Sequence, residues 1–211
     1  MGRVICLVMG YAFGLFQTGY LYGKMNHIDI RNYGSGNSGT TNALRVMGKK
    51  AGLIVFAGDF LKTVFACLAA RIIFKGSPDT DLYVLYAGLG VVLGHNFPCY
   101  LNFKGGKGIA SMAGILVSMD WRVTLVCAAL FLGAVIITRY VSLGSILVVI
   151  SFFIQILVYG AHGTFTVSAD HLMEFYVVAF VLMAMAIWRH KTNIKRLLSG
   201  TENKLWGGKK N

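Results

Sequence analysis

Residues 141–160 read VSLGSILVVISFFIQILVYG, with no Asp, Glu, Lys or Arg among them. A helix rises about 1.5 Å per residue, so roughly 20 predominantly apolar residues cross the ~30 Å hydrocarbon core of a bilayer. The run immediately before it, 123–138, is also apolar, and only Arg139 and Tyr140 separate the two. Working outward, further apolar runs fall at 4–22, 53–74, 82–99, 109–119 and 172–188. Five of the seven reach spanning length. The runs 123–138 and 109–119 are short, the latter markedly so. The first run lacks the small-residue cleavage site of a signal peptide. The expected fold is therefore all-α and polytopic, with about seven transmembrane helices in a single membrane-embedded domain over 1–211.

Composition agrees. Of 211 residues, 56% are hydrophobic and only 13% charged, against about 25% charged in soluble domains. Mean hydropathy is +0.64. The net charge of +12 would suggest nucleic acid in a soluble protein, but here the cations lie in short stretches between apolar runs. That pattern suits positive-inside loops facing anionic lipids or substrates better than a nucleic-acid partner, and no nucleic acid is expected. Cys6, Cys67, Cys99 and Cys127 form no CxxC pair or Cys/His spacing, so neither zinc nor a disulfide framework is expected.

Lys and Arg counts set the expected topology. With seven spans and the N-terminus outside, the inner segments hold Lys24, Arg31, Arg45, Lys49, Lys50, Lys104, Lys107, Arg139, Arg189, Lys191, Lys195, Arg196, Lys204, Lys209 and Lys210. Only Arg3, Arg71, Lys75 and Arg122 fall outside, and Lys62 lies within a span. The bias places the C-terminus in the cytoplasm.

Three polar constellations fall on that inner side. Gly34-Ser35-Gly36-Asn37-Ser38-Gly39-Thr40-Thr41-Asn42, followed by Arg45, combines glycines that permit close backbone approach with hydroxyl, amide and guanidinium donors. It lacks the GxxxxGK[ST] order of a P-loop. Gly94-His95-Asn96-Phe97-Pro98 leads to Phe103-Lys104-Gly105-Gly106-Lys107-Gly108, which places two lysines and a glycine turn at the start of the next helix. Helix N-termini with added cations bind anions. His190 and Asn193, three apart after the last span, share a helical face. Asn193–Leu198 mixes Lys195 and Arg196 with apolar residues, as an interfacial turn would. Within the second long run, Asp59 and Lys62 are spaced to pair. Arg139-Tyr140-Val141-Ser142 lies where it can add donors to the same site. The common theme is phosphate held beside lipid.

At this point the chain resembles the bacterial membrane-integral glycerol-3-phosphate acyltransferase family that uses acyl phosphate as donor. Gly34–Asn42 with Arg45 is similar to its SGNxGxTN loop. Gly94–Pro98 and Phe103–Gly108 are similar to its GHNF and FKGGKG elements. His190, Asn193, Ile194, Gly200 and Glu202 are similar to its HxxNIxRLxxGxE tail, and Arg139–Gly144 also matches. Thr63, after Asp59 and Lys62, departs from the glycine common there. The resemblance implies attack of the 1-hydroxyl of glycerol 3-phosphate on acyl phosphate, releasing phosphate and lysophosphatidic acid, in the first acylation step of bacterial phospholipid synthesis. It implies catalytic roles for Ser35, Arg45, Lys104, His190 and Asn193. It implies phosphate contacts from Gly36, Asn37, Thr41, Asn42, His95, Asn96, Gly105, Gly106, Lys107 and Ser142, with no metal and no cofactor. Implied partners are both substrates, membrane lipids and the soluble enzyme that makes acyl phosphate. The implied location is the inner membrane, with the site facing the cytoplasm. The HxxxxD motif of other acyltransferases is absent, which leaves substrate phosphate, His95 or His190 as proton acceptor. The rival classes are a transporter of a phosphorylated small molecule and a membrane scaffold. A transporter favours a midplane site and inverted repeats, neither of which the sequence displays. A scaffold has no need of three donor-rich glycine loops.

Overall fold

A computed structural model describes residues 1–206; Lys209 and Lys210, counted above with the inner cations, lie outside the described residues. The described chain is helical throughout, without strands. The helices are α1 (Gly2–Gly14), α2 (Thr18–Met25), α3 (Thr40–Ile73), α4 (Thr80–Asn96), α5 (Ile109–Met119), α6 (Trp121–Thr138), α7 (Val141–Ala161), α8 (Leu172–Arg189) and α9 (Lys191–Leu198).

Six stretches are long and apolar enough to cross a membrane: Gly2–Met25, Thr40–Ile73, Thr80–Leu101, Trp121–Thr138, Val141–Ala161 and Ala169–Arg189. The protein is a multi-pass membrane protein. The run expected at 123–138 begins two residues earlier, because Asp120 caps α6 through the Arg122 N–H at 2.7 Å. Helix α5 stays short, yet Ser118 near its end presents its carbonyl to Arg71 at 2.8 Å, near the end of α3. The preceding loop dips back against α4, where Gly105 N–H donates to Asn96 O at 3.1 Å and Gly106 N–H to His95 O at 3.0 Å. Helix α5, at 11 residues, remains shorter than a full crossing.

Two departures from the expected boundaries shape the site. The run 4–22 is not one helix, since α1 ends at Gly14 and α2 starts at Thr18. Side chains satisfy the carbonyls freed at this break. Lys62 Nζ donates to Phe16 O at 2.7 Å, Tyr100 OH to Leu15 O at 2.7 Å, and Gln17 Nε2 to Gly14 O at 3.1 Å. The second departure is that α3 begins at Thr40, inside what read as a loop, and turns sharply at Gly48 (φ 85°). Leu44 packs on Gly52, so the first two turns fold back against the rest of the helix.

The core lies where α1 and α3 to α8 meet. Helices α1 and α4 approach closely enough that a Cβ on Gly90 would overlap the Leu7 carbonyl. Such small-residue crossings gain packing that apolar lipid cannot supply. At the end away from the glycine loops, three of the four cations are ion-paired: Arg3–Glu174 at 2.5 Å, Arg71–Asp81 at 2.8 Å and Arg122–Asp120 at 2.8 Å. Asp79 there accepts from Ser168 and His171 at 2.7 and 2.8 Å.

Candidate active site

The three glycine-rich constellations meet at the other end of the bundle, around two adjoining cavities. The first, about 280 Å³, is lined by Ser35, Asn37, Thr41, Asn42, Arg45, Asp59, His95, Lys107, Ser142, His190 and Asn193, with Phe56, Ile109, Phe131, Val135 and Val141 as an apolar wall. The second, about 570 Å³, is lined by Arg31, Ser35, Gly36, Asn37, Lys104, Gly105, Lys107, Arg189, Thr192 and Arg196. Ser35, Asn37, Lys107 and Arg196 border both. Ser35 and Arg45 thus share the first cavity, while Lys104 joins Ser35 in the second.

Asn42 builds the first loop. Its Oδ1 accepts from Ser35 N–H at 2.8 Å, and its Nδ2 donates to the carbonyls of Ile30, Tyr33 and Asn37 at 3.2, 3.0 and 2.8 Å. With all its polar atoms engaged, Asn42 positions Ser35 and Asn37, and its side chain has none left for phosphate. Thr40 Oγ1 and Ser142 Oγ are buried, line the first cavity and have no protein partner among the described residues. A buried hydroxyl that no protein group bonds is free to bond what fills the cavity beside it, whether water or ligand.

In the second loop, Gly106 lies so close to His95 that a Cβ there would overlap the imidazole Nε2. The loop is held from the far side by Arg189. Its guanidinium donates to Gly105 O at 3.0 Å and Gly106 O at 2.7 Å and sits 5.3 Å from the Phe97 ring centre. Lys107 precedes the N-terminus of α5 and bonds to Asn193 Oδ1. Burial, then the nearby Arg196, pulls the Lys107 ammonium down to about 8, with Glu202 opposing. Lys104 is exposed at the rim. Asn96 is fully buried beneath Gly108 with both side-chain polar atoms unpaired among the described residues, and it lines neither cavity.

The third constellation closes the site. His190 caps α9, and its Nδ1 lies 2.8 Å from Ala186 O. A carbonyl only accepts, so Nδ1 carries the hydrogen and Nε2 keeps a lone pair. Burial pushes the His190 imidazole down to about 4, leaving it neutral at pH 7. Asn193 Nδ2 donates to Glu202 Oε1 at 2.9 Å, and Arg196 pairs with Glu202 at 2.8 Å. Arg45 donates to Asn203 O at 3.3 Å. Arg139 lines neither cavity; its carbonyl receives Leu205 N–H at 2.8 Å.

Sequence reasoning missed Arg189 and Arg196 as lining residues, since they look like ordinary positive-inside cations, whereas Thr40 stood among the first loop's donors without a role of its own. Asp59 and Lys62 do pair, at 2.8 Å, and Lys62 also reaches His95 Nδ1 at 3.0 Å. Among the described residues no group of three or more His, Cys, Asp and Glu is placed to hold a metal ion.

Residues 4–200 match the family model described as Glycerol-3-phosphate acyltransferase. The chain is 42% identical over 207 residues to the glycerol-3-phosphate acyltransferase of Clostridioides difficile (strain 630), covering 96% of this chain and 95% of the relative. It is 38% identical over 206 residues to that of Thermoanaerobacter sp. (strain X514), covering 97% and 96%. The crystal structure of PlsY (YgiH), an integral membrane glycerol 3-phosphate acyltransferase, superposes in its glycerol 3-phosphate form with a TM-score of 0.84 at 36% identity, over 98% of this chain and 96% of that one. Its lysophosphatidic acid form superposes with a TM-score of 0.80 at 34% identity, over 97% and 95%. With near-complete coverage in sequence and in structure, the chain belongs to the glycerol-3-phosphate acyltransferase family.

Proposed function

We propose that this chain transfers an acyl group from acyl phosphate to the 1-hydroxyl of glycerol 3-phosphate, giving 1-acyl-glycerol 3-phosphate and inorganic phosphate. It does so as one membrane-embedded domain of seven passages, N-terminus outside, with the site at the cytoplasmic face of the bacterial inner membrane. The observation that carries the reading is the pair of cavities joined along Ser35, Asn37, Lys107 and Arg196, one polar and the other with an apolar wall.

Each substrate brings a phosphate, and two anions repel. A shared row of donors and cations offsets that repulsion and fixes the partners at reacting distance. The first cavity lies where α3 and the α6–α7 pair stand apart, since α3 packs on α1, α2, α4 and α5 while α6 packs on α5 and α7. An acyl chain entering there lies along Phe56, Phe131, Val135 and Val141. The acyl carbonyl then reaches Ser35, Arg45 and the unpartnered Ser142 hydroxyl, which stabilise negative charge on its oxygen as the hydroxyl attacks. His190 Nε2, neutral and free, accepts the hydrogen bond of the attacking 1-hydroxyl. The C–O bond to phosphate breaks, the new ester forms, and the proton leaves on the released phosphate. Lys104 and Arg189 hold that phosphate until it departs through the wider cavity, while Lys107 and Arg196, which border both cavities, hold the phosphate of glycerol 3-phosphate. The soluble enzyme that makes acyl phosphate is the natural partner at this face.

The test is a donor comparison. Purified protein in lipid, given glycerol 3-phosphate with acyl phosphate, acyl-CoA or acylated carrier protein, is expected to form lysophosphatidic acid from acyl phosphate alone. Comparable turnover with a thioester donor would refute the acyl-phosphate assignment.

A further inference from the structure

Asp59 is only 1% exposed, yet it lines the first cavity. Its neighbours all converge on one oxygen. Lys62 Nζ donates to Oδ1 at 2.8 Å and Thr18 Oγ1 to Oδ1 at 3.1 Å, and His95 Nδ1 lies 3.6 Å from Oδ1. Among the described residues the hydrogen bonds to this carboxylate all go to Oδ1, and Oδ2 is not one of the fully enclosed unpaired atoms, so the cavity that Asp59 lines reaches it. A carboxylate oxygen left bare in a buried site is costly unless a ligand donates to it.

The charge around it says which part of a ligand that is. A carboxylate repels phosphate, and the cations Lys107 and Arg196 line the same cavity. An anionic polyol in this field turns its phosphate towards the cations and its hydroxyls towards Asp59. On the reading of the site given above, the polyol is glycerol 3-phosphate. Its 1-hydroxyl has to stay free to attack, which leaves the 2-hydroxyl for the carboxylate.

We propose that Asp59 Oδ2 accepts a hydrogen bond from the 2-hydroxyl of glycerol 3-phosphate, and that Asp59 is a specificity-determining residue of the acceptor site. Lys62 is its positioning residue. Pinned to Phe16 O at 2.7 Å and to His95 Nδ1 at 3.0 Å, the ammonium holds Oδ1 and leaves Oδ2 turned to the cavity. A site built to bond a hydroxyl rejects the analogue lacking it, because its own polar group is then left unpaired.

The test compares kcat/KM for glycerol 3-phosphate and for 3-hydroxypropyl phosphate, which lacks only the 2-hydroxyl, with acyl phosphate saturating. The wild type is expected to prefer glycerol 3-phosphate by about 30-fold, the size of a hydrogen bond to a charged group. In D59N/K62M, which removes both charges and so avoids a buried unpaired ammonium, the preference is expected to fall to about 3-fold or less, chiefly through KM for glycerol 3-phosphate. Because that variant has to fold, the wild-type ratio and the single variant D59N stand beside it. A wild type indifferent to the 2-hydroxyl, or either folded variant keeping the full ratio, overturns the assignment of Asp59 while leaving the acyltransferase reading intact. A wild type that acylates neither acceptor overturns the acyltransferase reading and this one with it.

Discussion

Lys107 and Asn193, eighty-six residues apart in sequence, share a hydrogen bond that ties the glycine loop before α5 to the helix after α8. Asn193 passes the restraint on to Glu202, and Glu202 to Arg196. Lys107 and Arg196, the two cations that border both cavities, are thus members of one connected unit.

The lowered Lys107 gives a pH signature. Burial disfavours the ammonium, so the charge is full well below about 8 and is lost as pH rises through that value. KM for glycerol 3-phosphate is expected to rise between pH 7 and pH 9, by about tenfold for one lost cation contact. K107R keeps its charge across this range, so its KM profile should be flat. Parallel profiles for wild type and K107R would contradict the assignment.

His190 gives the opposite signature, on the acid side. With the imidazole neutral down to about 4, no loss of activity near pH 6.5 belongs to it. Substrate phosphates ionise there too, so the comparison is wild type against H190N, and both are expected to show the same inflection. H190N should also lower kcat by about 100-fold, within the range for a group that handles the proton in flight. An inflection near 6.5 present in wild type and absent in H190N would show a titrating imidazole.

Arg189 spans two carbonyls, those of Gly105 and Gly106, with a fork that an ammonium cannot copy. R189K is therefore expected to behave like R189M, each raising KM for acyl phosphate about tenfold as the loop drifts by a fraction of an ångström. Full rescue by lysine would show that only the charge matters.

Gly106→Ala tests the contact between the loop and His95. The added methyl has nowhere to go but the imidazole ring, and the loop has to move. Activity is expected to fall about 100-fold, the typical cost of displacing a catalytic group by about 1 Å, while the melting temperature in detergent changes little. Near-normal turnover would mean that the loop adjusts freely.

Much of this was legible in the sequence, for reasons visible residue by residue. Apolar runs such as 141–160 declare themselves through length alone, and the site concentrates its donors in contiguous motifs at 34–45, 94–108 and 190–193. What the sequence conceals is long-range. The break at 15–17 has no proline to announce it and is held by Lys62 and Tyr100 from elsewhere in the chain and by Gln17 reaching across to α4. The fold-back at Gly48 rests on one positive φ in a segment that otherwise reads as helix. Arg189 and Arg196 are indistinguishable in sequence from cations that merely face the inner leaflet. Asp59 and Lys62 suggest a pair by spacing, but the bare oxygen facing the cavity belongs to geometry alone.

The central claim is that Ser35, Arg45 and Lys104 act on one pair of substrates across the two joined cavities. The direct test is the rate of acyl transfer from acyl phosphate to glycerol 3-phosphate by purified, folded S35A, R45A and K104A. Each is expected to lose about 100-fold or more, as when one transition-state donor is removed. Near-wild-type turnover in any of the three would show that this residue stands outside the reacting site, and would contradict the account.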